Sequence, residues 1–461
     1  MSSGIRKLFE RPPTPVFDSM GAKEKAQAGD DSVSISSHAG DQHQQHGEVE
    51  ADGYVPPPRT AGFIRSLANV VCIIIGTGAL QIPYVFSKIG YVGLLVIAIS
   101  AFIGMYSGTI TIKCLYYKQG RRLRSFTDIG YHAYGPFGQY FTQFFNYLFC
   151  VGTTSLFVIL ASSFIYDLIS TVGVHLSKRV WMIIITGVIT APLLVLKHMS
   201  EIALLSVFGF LASLVMILVA TIQSFRFPYT TMYPDNPAPH HSAGIASGIP
   251  VALSSIVFSF SGTIIYPHVE ASMRKPKQWP TVISVAMIIC VLLYSLVGIS
   301  GYWAYGSEAL SPILNSIPKG APATAAKILV TVHVILAAPL LIMPFFLEIE
   351  ERWGINKHKM GAKKEFTIRT VFRLITMVVI GGISVGIPYF DSVLSLLGAL
   401  SVTMMFTFVP VVSYIKLYGP KNIPWYEHIW MFIVVAIGLV GCVWGSIDAI
   451  ESLVRQINGN K

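Results

Sequence analysis

Apolar residues run along the chain in long blocks separated by short polar connections. Blocks fall at 61–87, 91–114, 138–166, 180–196, 201–225, 247–270, 279–303, 325–349, 367–387, 391–415 and 427–450. Each is long enough for one helix to cross a hydrocarbon core of about 30 Å. They predict an all-α polytopic membrane protein with eleven transmembrane helices. Two blocks are interrupted. The first contains "NVVCIIIGTGALQIPYVF" (69–86), in which Gly76, Gly78 and Pro83 each weaken a helix. The sixth contains "SFSGTIIYP" (259–267), in which Pro267 follows Gly262 at the spacing by which Pro83 follows Gly78. An odd number of crossings separates the two, so they run in opposite directions. That is the pattern of a 5+5 inverted repeat with discontinuous helices 1 and 6, plus one extra helix.

Charge sets the orientation. Of the 33 Lys and Arg residues, 25 fall on the side of the N-terminus and eight on the other. The positive-inside rule then places the N-terminus in the cytoplasm and residues 453–461 in the lumen or outside the cell. Residues 1–60 are polar, with six Lys/Arg against nine Asp/Glu, and are expected to form a disordered cytoplasmic tail ahead of the transporter domain at 61–452. Charged residues make up only 12% of the chain and the mean hydropathy is +0.61. This composition excludes a soluble domain, which carries about 25% charged residues. The net positive charge is accounted for by topology, so no nucleic-acid partner is expected; the lipid bilayer is the surrounding phase.

Little in the chain suggests a metal or cofactor. The five cysteines lie inside apolar blocks without a Cys-x-x-Cys spacing. His240–His241 and the His198…Glu201 spacing lack partner ligands. Neither an HExxH nor a GxSxG motif points to an enzyme, and no filter sequence points to a channel. A membrane-embedded receptor or enzyme with a small-molecule pocket is the alternative to a transporter.

A helix broken at mid-membrane exposes N–H groups on one half and carbonyls on the other, which together suit a zwitterion. The expected substrate residues are therefore Gly76, Thr77, Gly78 and Ala79 in the first break, with Ser259, Ser261 and Gly262 in the second. A side chain at 78 is expected to occupy the place of the substrate carboxylate, so that Gly78→Val stops transport and spares insertion. Ionisable groups within the membrane point to function. Two such groups are candidates for proton coupling, Glu270 at the end of block six and His333 within block eight.

Asn69, Gly76, Gly78, Leu80, Pro83, Tyr84 and Gly90 fall on a pattern Asn-x(6)-Gly-x-Gly-x-Leu-x-x-Pro-Tyr-x(5)-Gly, and Glu270, Met273 and Pro276 on Glu-x-x-Met-x-x-Pro. In these residues the chain resembles the amino acid/auxin permease family over about 61–452. Vesicular inhibitory amino-acid transporters and fungal vacuolar amino-acid transporters are the most similar members. The resemblance implies secondary transport of amino acids, usually coupled to protons, on a broken-helix inverted-repeat fold. It favours a vacuolar or vesicular membrane, with the plasma membrane as the alternative. It also implies that the third helix lines the pocket, which adds Asn146 and Tyr147 to the candidates.

Overall fold

The computed structural model describes residues 59–118, 122–170, 173, 176–195, 205–355 and 360–459. The expected tail, apart from Arg59 and Thr60, and the His198…Glu201 spacing lie outside the described residues. Among the described residues the elements are helices, with no strand. In chain order the main ones are α1 (Phe63–Ile74), α2 (Ile82–Ile89), α3 (Gly93–Leu115), α4 (Phe126–Ser170), α5 (Lys178–Val195), α6 (Leu205–Arg226) and α7 (Ile249–Ser259). They continue with α8 (Tyr266–Ala271), α9 (Trp279–Tyr305), α10 (Ala321–Arg352), α11 (Ala362–Gly386), α12 (Phe390–Leu397), α13 (Val409–Tyr418) and α14 (Trp425–Gly459). Two π-helical turns, Gly398–Val402 and Met404–Phe408, carry α12 into α13. Among the described residues eight helical stretches are long and apolar enough to cross a membrane, and the protein is an integral, multi-pass one. Two shorter apolar helices, Phe63–Ile74 and Ala246–Ser259, are the first halves of the two interrupted blocks.

The interruptions have a simple local cause. α1 stops where Gly76 turns extended (φ −113°, ψ −150°), and a 3-10 turn over Thr77–Gln81 follows. α7 stops at Ser259, and the chain is irregular until α8. The prolines do not make these breaks. Pro83 and Pro267 sit in the first turns of α2 and α8, where a missing N–H costs nothing and a fixed φ favours the helix. Glycine ends the first half-helix and proline restarts the second.

The two broken segments lie antiparallel and touch along their length. At one end the Ala61 N–H donates to Ser272 O, and the Arg274 N–H donates to Ala61 O, both at 2.9 Å. At the other end the Ile245 N–H donates to Ile89 O at 3.0 Å. At the breaks, a Cβ placed on Gly78 would lie 2.6 Å from Ser259 Cα, so only glycine permits this approach. Tyr294 of α9, fully buried, points its hydroxyl at Ile74 O (2.7 Å) and Ser259 O (2.8 Å), the last carbonyls of α1 and α7. One phenol thus caps both half-helices. Around this pair pack α3, α6, α9, α12 and α14. The interior charge of α11 is neutralised by Arg373 on Glu350 of α10 at 2.7 Å, with a further bond from Arg373 to Leu193 O at 2.6 Å.

Tyr294→Phe keeps the ring and removes the hydroxyl from Ser259 O, while Ile74 O keeps the Gly76 N–H as a donor at 2.8 Å. An unsatisfied buried group costs about 1–3 kcal/mol. The variant should melt at a lower temperature in detergent, with the helical circular-dichroism signal of the folded protein unchanged. An unaltered melting temperature would show that other groups cap the breaks.

Candidate substrate site

A cavity of about 130 Å³ opens where the two breaks meet. This is close to the roughly 150 Å³ that accommodates a benzene molecule in a protein core. Gly76, Thr77 and Gly78 line it from the first break, and Ser259, Ser261 and Gly262 from the second. α4 contributes Phe149, Thr153 and Phe157, spaced by one turn along one face. α10 contributes His333, Ala337, Leu340 and Leu341, again the spacing of a single helical face. Val402, Met405 and Phe406 close it from the π-helical turns.

The chemistry of the wall is apolar with a few unspent polar groups. No Asp, Glu, Lys or Arg lines the cavity. The hydroxyls of Thr153 and Thr263 are buried without a partner among the described residues. The backbone N–H groups of Thr77 and Gly78, and those of Gly262, Thr263 and Ile264, likewise have no acceptor among the described residues. Ser259 Oγ, by contrast, is spent on Ser255 O at 3.0 Å. The His333 ring fits against Gly209 of α6, where a Cβ would come within 2.5 Å of it. His333 also makes no hydrogen bond to the described residues. An imidazole with free nitrogens in an apolar wall is unusual, because buried polar groups are nearly always paired.

Several of the residues singled out from sequence stand elsewhere. Ala79 is buried behind the wall and its N–H donates to Gly76 O at 3.3 Å, so the N–H groups left open are those of Thr77 and Gly78. Gly78 does line the cavity, but the space its side chain would take belongs to the Ser259 backbone. It is Gly76 that faces open space, with nothing within 4 Å of its would-be Cβ. Asn146 lies one turn beyond the lining face of α4, and its Oδ1 accepts from Cys150 Sγ at 3.8 Å. Tyr147 falls on another face and stands edge-on to Phe345, ring centres 4.9 Å apart.

Glu270 also stands apart. It is fully buried, 0% exposed, at the Ala61 end of the molecule. Its Oε2 accepts from Arg122 Nη2 (2.8 Å) and Nε (3.0 Å), and its Oε1 from the Tyr116 hydroxyl (2.6 Å). Arg122 Nη2 also donates to Pro267 O at 2.6 Å, tying the connection after α3 to α8. Both carboxylate oxygens are therefore occupied in a closure contact and neither meets the cavity. Thr153, Thr263 and Phe149 had no signal in the sequence beyond their helix register. Arg122 lies 148 residues from its partner, and no local pattern reveals such a pair.

A second, larger cavity of about 560 Å³ lies at the opposite end of the broken segments. Tyr84, Lys88, Ser247, Asp391, Asp448 and Arg455 are among its lining residues.

Known proteins share this arrangement. Among solved structures, a manganese transporter of Eremococcus coleocola superposes with a TM-score of 0.54 at 13% identity, covering 86% of this chain and 87% of its own. MHP1, a nucleobase-cation-symport-1 family transporter, superposes with a TM-score of 0.50 at 11% identity, covering 86% and 94%. At these identities the likeness is one of fold. Curated relatives include the Arabidopsis thaliana amino acid transporters AVT1C, 24% identical over 87% of this chain and 72% of its own, and AVT1I, 25% identical over 86% and 96%. Amino acid transporter ANT1 of the same plant is 25% identical over 86% of this chain and 95% of its own. The family profile described as transmembrane amino acid transporter protein matches residues 59–451, and the chain, from its first broken helix to its last, belongs to that family of transporters, which are not enzymes.

Proposed function

We propose that this protein is a secondary active transporter of neutral amino acids, with the central cavity as its substrate site and His333 as its proton-bearing group. The observation that carries the reading is the wall itself. Unspent backbone N–H groups from two broken helices converge on a cavity that no charged side chain lines. A substrate carboxylate finds donors at Thr77, Gly78 and Gly262, and its ammonium group finds acceptors in the hydroxyls of Thr77 and Ser261. The side chain then meets Phe149, Phe157, Leu340 and Met405. The cavity volume suits small and medium apolar side chains.

The antiparallel broken segments support eleven crossings arranged as a 5+5 inverted repeat with one extra helix. The charge bias supports a cytoplasmic N-terminus. A vacuolar or vesicular membrane belongs to the same reading and rests on the sequence resemblance. For the proton, His333 has the better position, since it lines the cavity while Glu270 is engaged by Arg122.

Purified protein in liposomes with an imposed pH gradient, given a panel of labelled amino acids, tests the function. Leucine- and alanine-sized neutral amino acids should be taken up, and lysine and glutamate should not compete. A protonophore should abolish uptake, and replacing Na⁺ by K⁺ should leave it unchanged. Strict dependence on sodium would defeat the proton reading.

His333→Gln keeps a hydrogen-bonding group of similar reach but cannot take up a proton at these pH values. It should retain exchange of labelled for unlabelled substrate and lose accumulation driven by the gradient, with a flat pH profile. Full accumulation by this variant would remove His333 from the coupling step.

The two glycines of the first break should separate. Gly76→Leu has room for its Cβ and an extended backbone that any residue adopts, so its side chain fills the cavity. Substrate binding should be lost while membrane abundance stays normal. Gly78→Ala drives a methyl group into the Ser259 backbone. Overpacking of this kind costs about 1–3 kcal/mol, so abundance should fall along with transport. Equal abundance of both variants would contradict the division.

A further inference from the structure

The two cavities are separated by one helical turn on each of two elements. In the first broken segment, Gly78 lines the central cavity and Gln81, three residues on, lines the larger one. In the second, Ser259 lines the central cavity and Ser255, one turn earlier, lines the larger one. The partition between them is a small group of neutral side chains. Ser255 Oγ and Ser395 Oγ of α12 lie 2.9 Å apart, and Gln81 Nε2 donates to Ser395 Oγ over 3.5 Å. Three pieces of the fold, the segments of the two breaks and α12, thus meet in one contact. Gln81 is 1% exposed, and its Oε1 has no partner among the described residues.

The far end of the path is closed differently. There the Arg122–Glu270 pair, the Tyr116 hydroxyl and the two Ala61 backbone bonds hold the chain together. Hydrogen bonds between ionised partners are roughly twice as strong as neutral ones. The 3.5 Å bond of Gln81 is at the long limit for a hydrogen bond at all.

We propose that the larger cavity is the open mouth of the transport path and that Gln81, Ser255 and Ser395 form the gate between it and the substrate site. In this state the protein is sealed at the Arg122–Glu270 end and separated from the mouth only by that contact. Both signs of charge line the mouth, with Lys88 and Arg455 against Asp391 and Asp448, so it admits a zwitterion without favouring a cation or an anion. A substrate that enters displaces Ser395 from Gln81 and reaches Gly76 and Thr77 beyond. The inference rests on the transport reading for its purpose, although the gate itself is open to test without any substrate.

Cys72 lines the central cavity and serves as a reporter thiol, while the other four cysteines are buried. A membrane-impermeant zwitterionic methanethiosulfonate is added to one face or the other of oriented vesicles, with Cys72→Ala as the control for signal. Gln81→Ala should speed modification of Cys72 from the mouth face about fivefold, the factor that loss of one neutral hydrogen bond gives. The rate from the Arg122 face should not change. An unaltered rate in a Gln81→Ala protein with a normal melting profile, or acceleration from the Arg122 face, overturns the gate.

Should that variant fail to fold, Gln81→Cys combined with Ser395→Cys decides. Bridging the pair with a short bifunctional thiol reagent should block Cys72 labelling and amino-acid uptake, and a reductant should restore both. Undiminished labelling after bridging also overturns the gate. Wild-type protein that carries no amino acid, yet shows the gated labelling of Cys72, would defeat the proposed function and leave the gate standing.

Discussion

The fold turns on one constraint. A helix interrupted inside an apolar phase leaves backbone groups that must be satisfied or covered. Here both interruptions are brought to the same point, and Tyr294 meets the last carbonyl of each with a single hydroxyl. Phe260 stands edge-on to that ring, with centres 5.1 Å apart, and keeps it in place. The carbonyl ends are therefore capped by protein, whereas the N–H ends are left open. That division makes the breaks useful. If side chains satisfied both sets, no polar group would remain for a ligand, and if neither were satisfied the breaks would be too costly to keep.

Gly78 belongs to the same constraint. Its backbone rests on Ser259, so the two broken segments pack at the closest distance two chains allow. The ends of the path differ in how they are held. The Arg122–Glu270 end combines a buried ion pair with backbone bonds, and breaking a buried pair typically costs 3–5 kcal/mol. The Gln81–Ser395 end has only neutral contacts, one of them long. The same two segments thus carry an ion-paired contact at one end and neutral contacts at the other.

Much of this was legible in the chain. The glycines and prolines of the two interrupted blocks marked where helices stop and restart, because backbone propensity acts locally. His333 stood out as an ionisable group in an apolar block, and it does line the cavity. What local reasoning missed is set by long-range packing. Gly76 and Gly78 are equivalent in sequence, yet one faces open space and the other a neighbouring backbone. Asn146 is on the lining face of the expected helix but one turn beyond the cavity, and Tyr147 is turned off that face, since a shift of one residue rotates a helical side chain away. Glu270 sat on a recognisable pattern whose geometric meaning depended on Arg122, far off in the chain and brought to it by the turn after α3. Tyr294 carried no signal at all, being one apolar-phase tyrosine among many.

The composition of the cavity wall adds a last step. A zwitterion brings two opposite charges that backbone dipoles can meet in place, because those dipoles are fixed by the fold and need no reorganisation. A third charge on the substrate side chain would have no counterpart, since neither carboxylate nor guanidinium lines the wall. Burying an unpaired charge costs several kcal/mol even after relaxation, and each 1.4 kcal/mol is a factor of ten in affinity. On the proposed reading, discrimination against charged amino acids would require no dedicated residue, because none of the described residues lining the wall is Asp, Glu, Lys or Arg. Selection among neutral ones is weaker, because one methylene more or less in an apolar pocket changes affinity by only about 10–200-fold. On the proposed reading, a site built this way is sharp on charge and tolerant on shape, because the faces that α4 and α10 turn to the cavity are largely apolar.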